Sequence, residues 1–155
     1  MVKKCDIIFV QQGDRYMYCY LGTYEHQLDD KNRLRMPAKF RAVMGSEYLI
    51  TAGTSGCLFV FAGESLTAIT DKLTSTMFTD GKTNSAIREF TAKGTSVECD
   101  GQGRFNLPTN LKSYAKIDKD IYVIGAGNKV EIWSKEVWDK HNEASIDLDT
   151  MFDKL

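Results

Sequence analysis

No long apolar run stands near the start of this chain. The longest there is Ile7-Ile8-Phe9-Val10, too short for the apolar region of a signal peptide or for a membrane span. The expected location is therefore the cytoplasm. Cysteines at metal-ligand spacing are also missing. The four cysteines, Cys5, Cys19, Cys57 and Cys99, include no Cys-x-x-Cys, and the two histidines, His26 and His141, lie 115 residues apart. A zinc site needs four close ligands, so no metal and no cofactor is expected. In a reducing compartment the cysteines read as free, partly buried thiols. Strong net charge is absent as well. At a formal −1, nothing global draws the protein to nucleic acid, and any anionic partner must be met by a local patch. Only two prolines occur in 155 residues, of which 43% are hydrophobic and 26% charged; that is the composition of a folded soluble protein. A chain of this length buries one adequate core, built here from two halves.

Catalytic signatures are lacking too. No Gly-x-x-x-x-Gly-Lys loop occurs, and no Ser or Cys sits in a nucleophile motif. Gly53 and Gly56, like Gly125 and Gly127, read as hairpin turns rather than phosphate cradles. An enzyme is not expected, nor a small-molecule substrate.

What the chain does contain is a repeat. LDDKNRLRMPAKF, residues 28–40, matches CDGQGRFNLPTNL, residues 99–111, at a shift of 71 that sets Asp29 on Asp100, Arg33 on Arg104 and Pro37 on Pro108. Downstream, CLFVFAGESL (57–66) lies over KVEIWSKEVW (129–138) at a shift of 72, with Phe61 on Trp133 and Glu64 on Glu136, so one residue is gained between the blocks. In each copy a short strand (from 24–28 or 95–99) leads into a turn in which Asn32 or Gly103 suits positive φ. A second strand follows, then a proline placed in a helix's first turn. Phe40, Val43 and Met44 give the first helix one apolar stripe. Two more strands come next (48–52 and 57–61; 121–124 and 130–133), then a helix after Glu64 or from Lys135. Repeat one spans about 20–66 and repeat two about 95–138. A linking helix at about 79–94, capped by Thr79 or Asp80, lies between them. A C-terminal helix at about 145–155 carries Leu148, Met151, Phe152 and Leu155 at helical spacing. Neither half, at about 45 residues, sustains a core alone, so the halves are expected to fold onto each other.

From Lys31 onward, alternation puts Lys31, Arg33 and Arg35 on one face and Leu34 and Met36 on the other. Lys39 and Arg41 flank the helix stripe just beyond. Residues 24–45 hold five basic residues against three acidic, whereas residues 134–155 hold three lysines against six acids. Positive charge is thus concentrated in the first copy. Solvated surface charge, with Asp29–Arg33 and Asp100–Arg104 closing the turns, is one reading. Contact with DNA is the other: arginine on a two-stranded ribbon reaches guanine edges while lysine meets phosphates.

YLGTYEHQLDDKNRLRMPAKF, the following Gly-Cys-Leu-Phe strand, DGQGRFNLP and NKVEIWSKEVW together resemble the MraZ family over about residues 20–143. The resemblance implies an α+β fold: a swapped-hairpin, AbrB-like β-barrel made from two internal repeats and flanked by helices. It implies a sequence-specific, nucleoid-associated transcriptional regulator that forms a closed, octamer-like homo-oligomeric ring. Such a protein binds repeated boxes in double-stranded promoter DNA, upstream of its own gene in the division and cell-wall cluster. The family's DNA-contacting residues fall on Lys31, Arg33, Arg35 and Lys39. The second-copy counterparts are Gln102, Arg104, Asn106 and Asn110, neutral at three of four positions, which weakens the case for a second contact. The alternative function is a ring-forming protein-interaction module without DNA specificity. Residues 1–16 have no counterpart in the repeat or the family pattern. They read as a dispensable extension, with Met17 a candidate native start, before a domain spanning 17–155.

Overall fold

Of the strands in the repeats, those at 23–27, 33–35, 95–98 and 104–106 alternate between more and less buried side chains, whereas those at 47–52, 58–61, 120–125 and 130–134 carry consecutive buried residues. The computed structural model describes residues 7–13, 15–75, 80–142 and 148–155. In chain order the elements are β1 (Ile7–Gln12), β2 (Arg15–Tyr20), β3 (Thr23–Gln27), β4 (Arg33–Arg35), α1 (Ala38–Met44), β5 (Glu47–Ala52), β6 (Leu58–Phe61), α2 (Gly63–Ser75) and α3 (Gly81–Lys93). The second half continues with β7 (Thr95–Glu98), β8 (Arg104–Asn106), α4 (Thr109–Tyr114), β9 (Asp120–Gly125), β10 (Val130–Ser134), α5 (Lys135–Asn142) and α6 (Leu148–Phe152).

The topology is an exchange between the copies. A six-stranded sheet runs β3-β9-β10-β6-β5-β7, and its neighbours pair antiparallel. The first strand of each copy therefore pairs with the hairpin of the other, β3 on β9 and β7 on β5. The hairpins β5–β6 and β9–β10 meet at the middle through β6 and β10. β4 and β8, one from each copy, form a separate two-stranded ribbon. The fold is α+β with antiparallel sheets. Among the described residues β3 and β7 remain sheet edges, and no pairing closes the sheet into a barrel.

One core fills the space between sheet, ribbon and the short helices. Leu34, Met36, Phe40, Leu111, Ile50, Val60, Ile121 and Ile132 are all fully buried, each stabilising the fold by about 1.5–3 kcal/mol relative to exposure. α1 is anchored by its predicted stripe, with Phe40 and Met44 buried and Val43 packed at the core's margin. The prolines stand one position earlier than a first-turn residue. Pro37 (φ −53°, ψ 137°) and Pro108 (φ −57°, ψ 137°) are N-caps, whose carbonyls accept from Arg41 N at 3.0 Å and Lys112 N at 2.9 Å. Their missing N–H lies outside the helix altogether, so nothing is lost by it. A smaller cluster on the sheet's other face joins Cys57, Ile124 and Trp133 to Val137 and Trp138 of α5. Trp138 is half-buried there, its ring 5.1 Å from that of Trp133.

Other boundaries move. The burial patterns of β5 and β9 align at a shift of 73, and those of β6 and β10 at 72. The connection after the second copy's helix has thus gained two residues over the first, and the hairpin turn has lost one. The linking helix is α3, capped by Asp80, whose carboxylate accepts from Thr83 N at 2.9 Å; Thr79 lies outside the described residues. At the C-terminus the helical residues are Leu148–Phe152, and residues 143–147 lie outside the described set. Cys19, Cys57 and Cys99 are free thiols, and Cys5 lies outside the described residues.

The extension is the largest departure. β1 and β2 form an antiparallel hairpin, and Ile7 and Tyr18 pack on the core beside buried Tyr20. Tyr20 N donates to Gly127 O at 2.7 Å, and Gly127 N donates back at 3.1 Å, tying the hairpin to the β9–β10 turn. An isolated two-stranded hairpin is marginal in water, so this one is held by that packing. Removing residues 1–16 strips β2 of its partner. A chain beginning at Met17 is expected to melt several degrees lower, at ~2–4 °C per kcal/mol lost. Thermal melts of the two chains check this expectation.

Candidate nucleic-acid interface

The two turns are built alike, atom for atom. Asp29 Oδ1 accepts from Lys31 N at 2.9 Å and Arg33 N at 2.8 Å, while Oδ2 accepts from Arg33 Nε at 2.6 Å. Asp100 Oδ1 accepts from Gln102 N at 2.8 Å and Arg104 N at 3.0 Å, and Oδ2 from Arg104 Nε at 2.9 Å. The fourth residue of each turn is left-handed, Asn32 at φ 56° and Gly103 at φ 79°. These bonds favour the charged carboxylates. The backbone N–H of Arg33 is the largest influence lowering the Asp29 pKa, and that of Arg104 does the same for Asp100. The aspartates are thus committed to the turns. Each occupies the Nε of its arginine, one of the five N–H donors a guanidinium carries.

The ribbon joins the turns. Leu34 pairs with Phe105, and both side chains go into the core. Period-two alternation then sends Arg33, Arg35, Arg104 and Asn106 outward, with Arg35 directly opposite Arg104 and Arg33 opposite Asn106. Like charges directly opposite on a ribbon repel. Arg35 is exposed, and its Nη2 donates to the neutral Gln102 Oε1 at 3.0 Å. Lys39 is exposed on α1. Lys31 is exposed too, but it belongs to the turn ahead of β4 rather than to the strand. The second copy therefore adds Arg104 to the first copy's basic face. The sequence discounts that contribution because Gln102, Asn106 and Asn110 are neutral, and the register that sets Arg104 against Arg35 is not local enough to be read from it.

Each copy's helix also braces the other copy's turn. Lys112 Nζ of α4 donates to Asn32 Oδ1 at 2.8 Å. At the equivalent place Arg41 of α1 lies against Gly103, and its Nε is shielded from solvent with no partner among the described residues. Arg41 is thus half-buried, set apart from Lys31, Arg35 and Lys39. The backbone repeats the exchange, Leu107 N donating to Asn32 O at 3.1 Å and Met36 N to Gly103 O at 2.9 Å.

Behind the ribbon, His26 on β3 is half-buried, and its Nε2 has no partner among the described residues. Burial first, and the charge of Arg35 second, lower its pKa below 6.5. The folded protein therefore resists protonating His26 while the unfolded chain does not, so stability is lost as pH falls below about 6.5. The depressed Asp29 and Asp100 contribute stability that is present above their ordinary 3.8 and lost as pH falls through their lower folded values. Melting temperature is expected to drop in these two stages between pH 7.5 and pH 2. His26→Asn should remove the first and leave the second.

The comparisons fit this duplicated architecture. The model of the MraZ protein family, described as antitoxin-like, matches residues 19–88 and again residues 90–153. The chain belongs to the MraZ family. The transcriptional regulator MraZ of Clostridium beijerinckii is 43% identical over 136 residues, 88% of this chain and 96% of that protein. Those of Desulforamulus reducens (41% over 131 residues, 83% and 92%) and Moorella thermoacetica (38% over 137 residues, 88% and 96%) are similar at comparable length. Among the described residues of this MraZ chain, no group of His, Cys, Asp and Glu is arranged to hold a metal ion, and no helix is long and apolar enough to cross a membrane.

Proposed function

We propose that the protein is a sequence-specific DNA-binding transcriptional regulator, and that the outward face of the β4–β8 ribbon meets the DNA. The pairing of Arg35 with Arg104 carries this reading: two arginines stand directly opposite in register on the outward face, Arg104 held by Asp100, and the contact of Arg35 across the ribbon is a neutral amide. Arg33 adds a third arginine, and Lys31 and Lys39 stand at the margins. A two-stranded ribbon fits the major groove, where arginine donates to guanine O6 and N7, and phosphates relieve the repulsion between opposed cations. The names of the relatives point the same way. The exchanged strands support the further reading of a swapped-hairpin, AbrB-like barrel. The target we propose is repeated boxes upstream of the protein's own gene, in the division and cell-wall cluster, bound in the nucleoid by a closed, octamer-like ring.

A protein-interaction module, whose basic ribbon meets an acidic partner, uses the same charges without reading bases. A gel-shift with DNA from upstream of the gene, in excess unrelated duplex, separates the two. The regulator gives a tight complex that resists competitor; the interaction module gives none.

A further inference from the structure

Arg41 belongs to the basic cluster of the first copy, yet its side chain is spent on the second copy's turn. A Cβ added at Gly103 would lie 2.3 Å from Arg41 Cδ, 2.5 Å from Nε and 2.7 Å from Cζ. The Arg41 stem and guanidinium thus fill the ground any side chain at 103 would need, at a position whose φ of +79° already favours glycine. Nε, shielded from solvent, is in no position to donate to a phosphate. The helix beneath is fixed by Phe40, fully buried, so the half-buried Arg41 rises from a fixed base as a strut against the Gly103 turn.

What the strut holds is adjacent to Arg35. Gly103 follows Gln102, whose backbone N–H is bound by Asp100 and whose side-chain oxygen accepts from Arg35 Nη2 at 3.0 Å. Resting on the DNA-binding reading above, we infer that Arg41 is a positioning residue. It fixes the Gly103 turn, the turn fixes Gln102, and Gln102 aims Arg35 across the ribbon. The other half is braced by chemistry instead of packing: Lys112 donates to Asn32, so a side chain is present there and a long apolar strut is not needed. A glycine facing arginine on one side, and an asparagine facing lysine on the other, are two solutions to one problem of holding a left-handed residue.

The test uses the full chain, titrated with the upstream duplex and with a shuffled duplex over a range of salt. Arg41→Ala should lose about tenfold in specific affinity, the scale of one misplaced base contact. Arg41→Met, which keeps the stem but not the charge, should stay within about twofold and leave the slope of log affinity against log salt unchanged. The pair Arg35→Ala/Arg41→Ala should lose no more than Arg35→Ala alone, because Arg41 acts through Arg35. A slope lowered by about 0.9 in Arg41→Met, the value of one phosphate contact, would overturn the inference, as would losses that simply add in the double variant. If the wild type itself fails to distinguish the two duplexes, the DNA-binding reading falls and this inference with it. A discriminating wild type with additive losses sinks the positioning role alone.

Discussion

Arg35→Ala is expected to lose about 1–3 kcal/mol of specific binding, roughly 5- to 150-fold in affinity, the amount one guanine contact supplies. The same substitution should hardly touch stability. Arg35 is exposed on a strand whose core contribution comes from Leu34, and exposed substitutions of this kind change stability by about 0.5 kcal/mol or less. Arg33→Ala and Arg104→Ala are less clean, since each also releases an aspartate that organises its turn. Titration of the three variants against the upstream duplex, alongside their melting temperatures, should set Arg35 apart. It alone should pair a large loss of affinity with an unchanged fold.

That separation depends on what the sequence made legible and what it did not. Leu34, Met36, Phe40 and Met44 could be placed in the core because strand and helix periods are local. The left-handed Asn32 and Gly103 could be placed because turn chemistry is local too. The partner of each strand was not legible. β3 pairs with β9 and β7 with β5 across the copies, and alternation within one strand carries no information about its neighbour. The opposition of Arg35 and Arg104, the Gln102 hydrogen bond and the Arg41 strut all follow from that exchange, so they stayed hidden with it. The β1–β2 hairpin was missed for a different reason. A search for repeats finds only what is duplicated, and residues 7–18 occur once; the apolar run Ile7–Val10 and the tyrosine-rich stretch after Gly13-Asp14 were the available signal.

Tandem boxes should bind at least about 10²-fold more tightly than a single box, because each further contact on one DNA molecule is effectively intramolecular. A single ribbon face brings few cations, and so few phosphate contacts bind weakly at physiological salt. Useful affinity then has to come from several identical faces, which the proposed ring would supply. Exposed Met151 and Phe152 on α6 are candidates for subunit contacts in such a ring. Changing the spacing of the boxes by half a helical turn should abolish most of the gain, since it turns alternate boxes away from the protein. The check is a titration of one, two and three boxes with a single protein preparation. Equal affinity per box, insensitive to spacing, would mean that each subunit binds alone.

Which face meets the DNA is measured most directly by acetylating the lysines of the full chain with and without the upstream duplex. Lys31 in the Asp29 turn and Lys39 on α1 flank the ribbon, whereas Lys82 on α3 and Lys140 on α5 are exposed on other elements. The duplex is predicted to slow modification of Lys31 and Lys39 strongly, leaving Lys82 and Lys140 at their free rates. Unslowed Lys31 and Lys39, with protection at Lys82 or Lys140 instead, would place the DNA elsewhere and contradict the ribbon as the reading face.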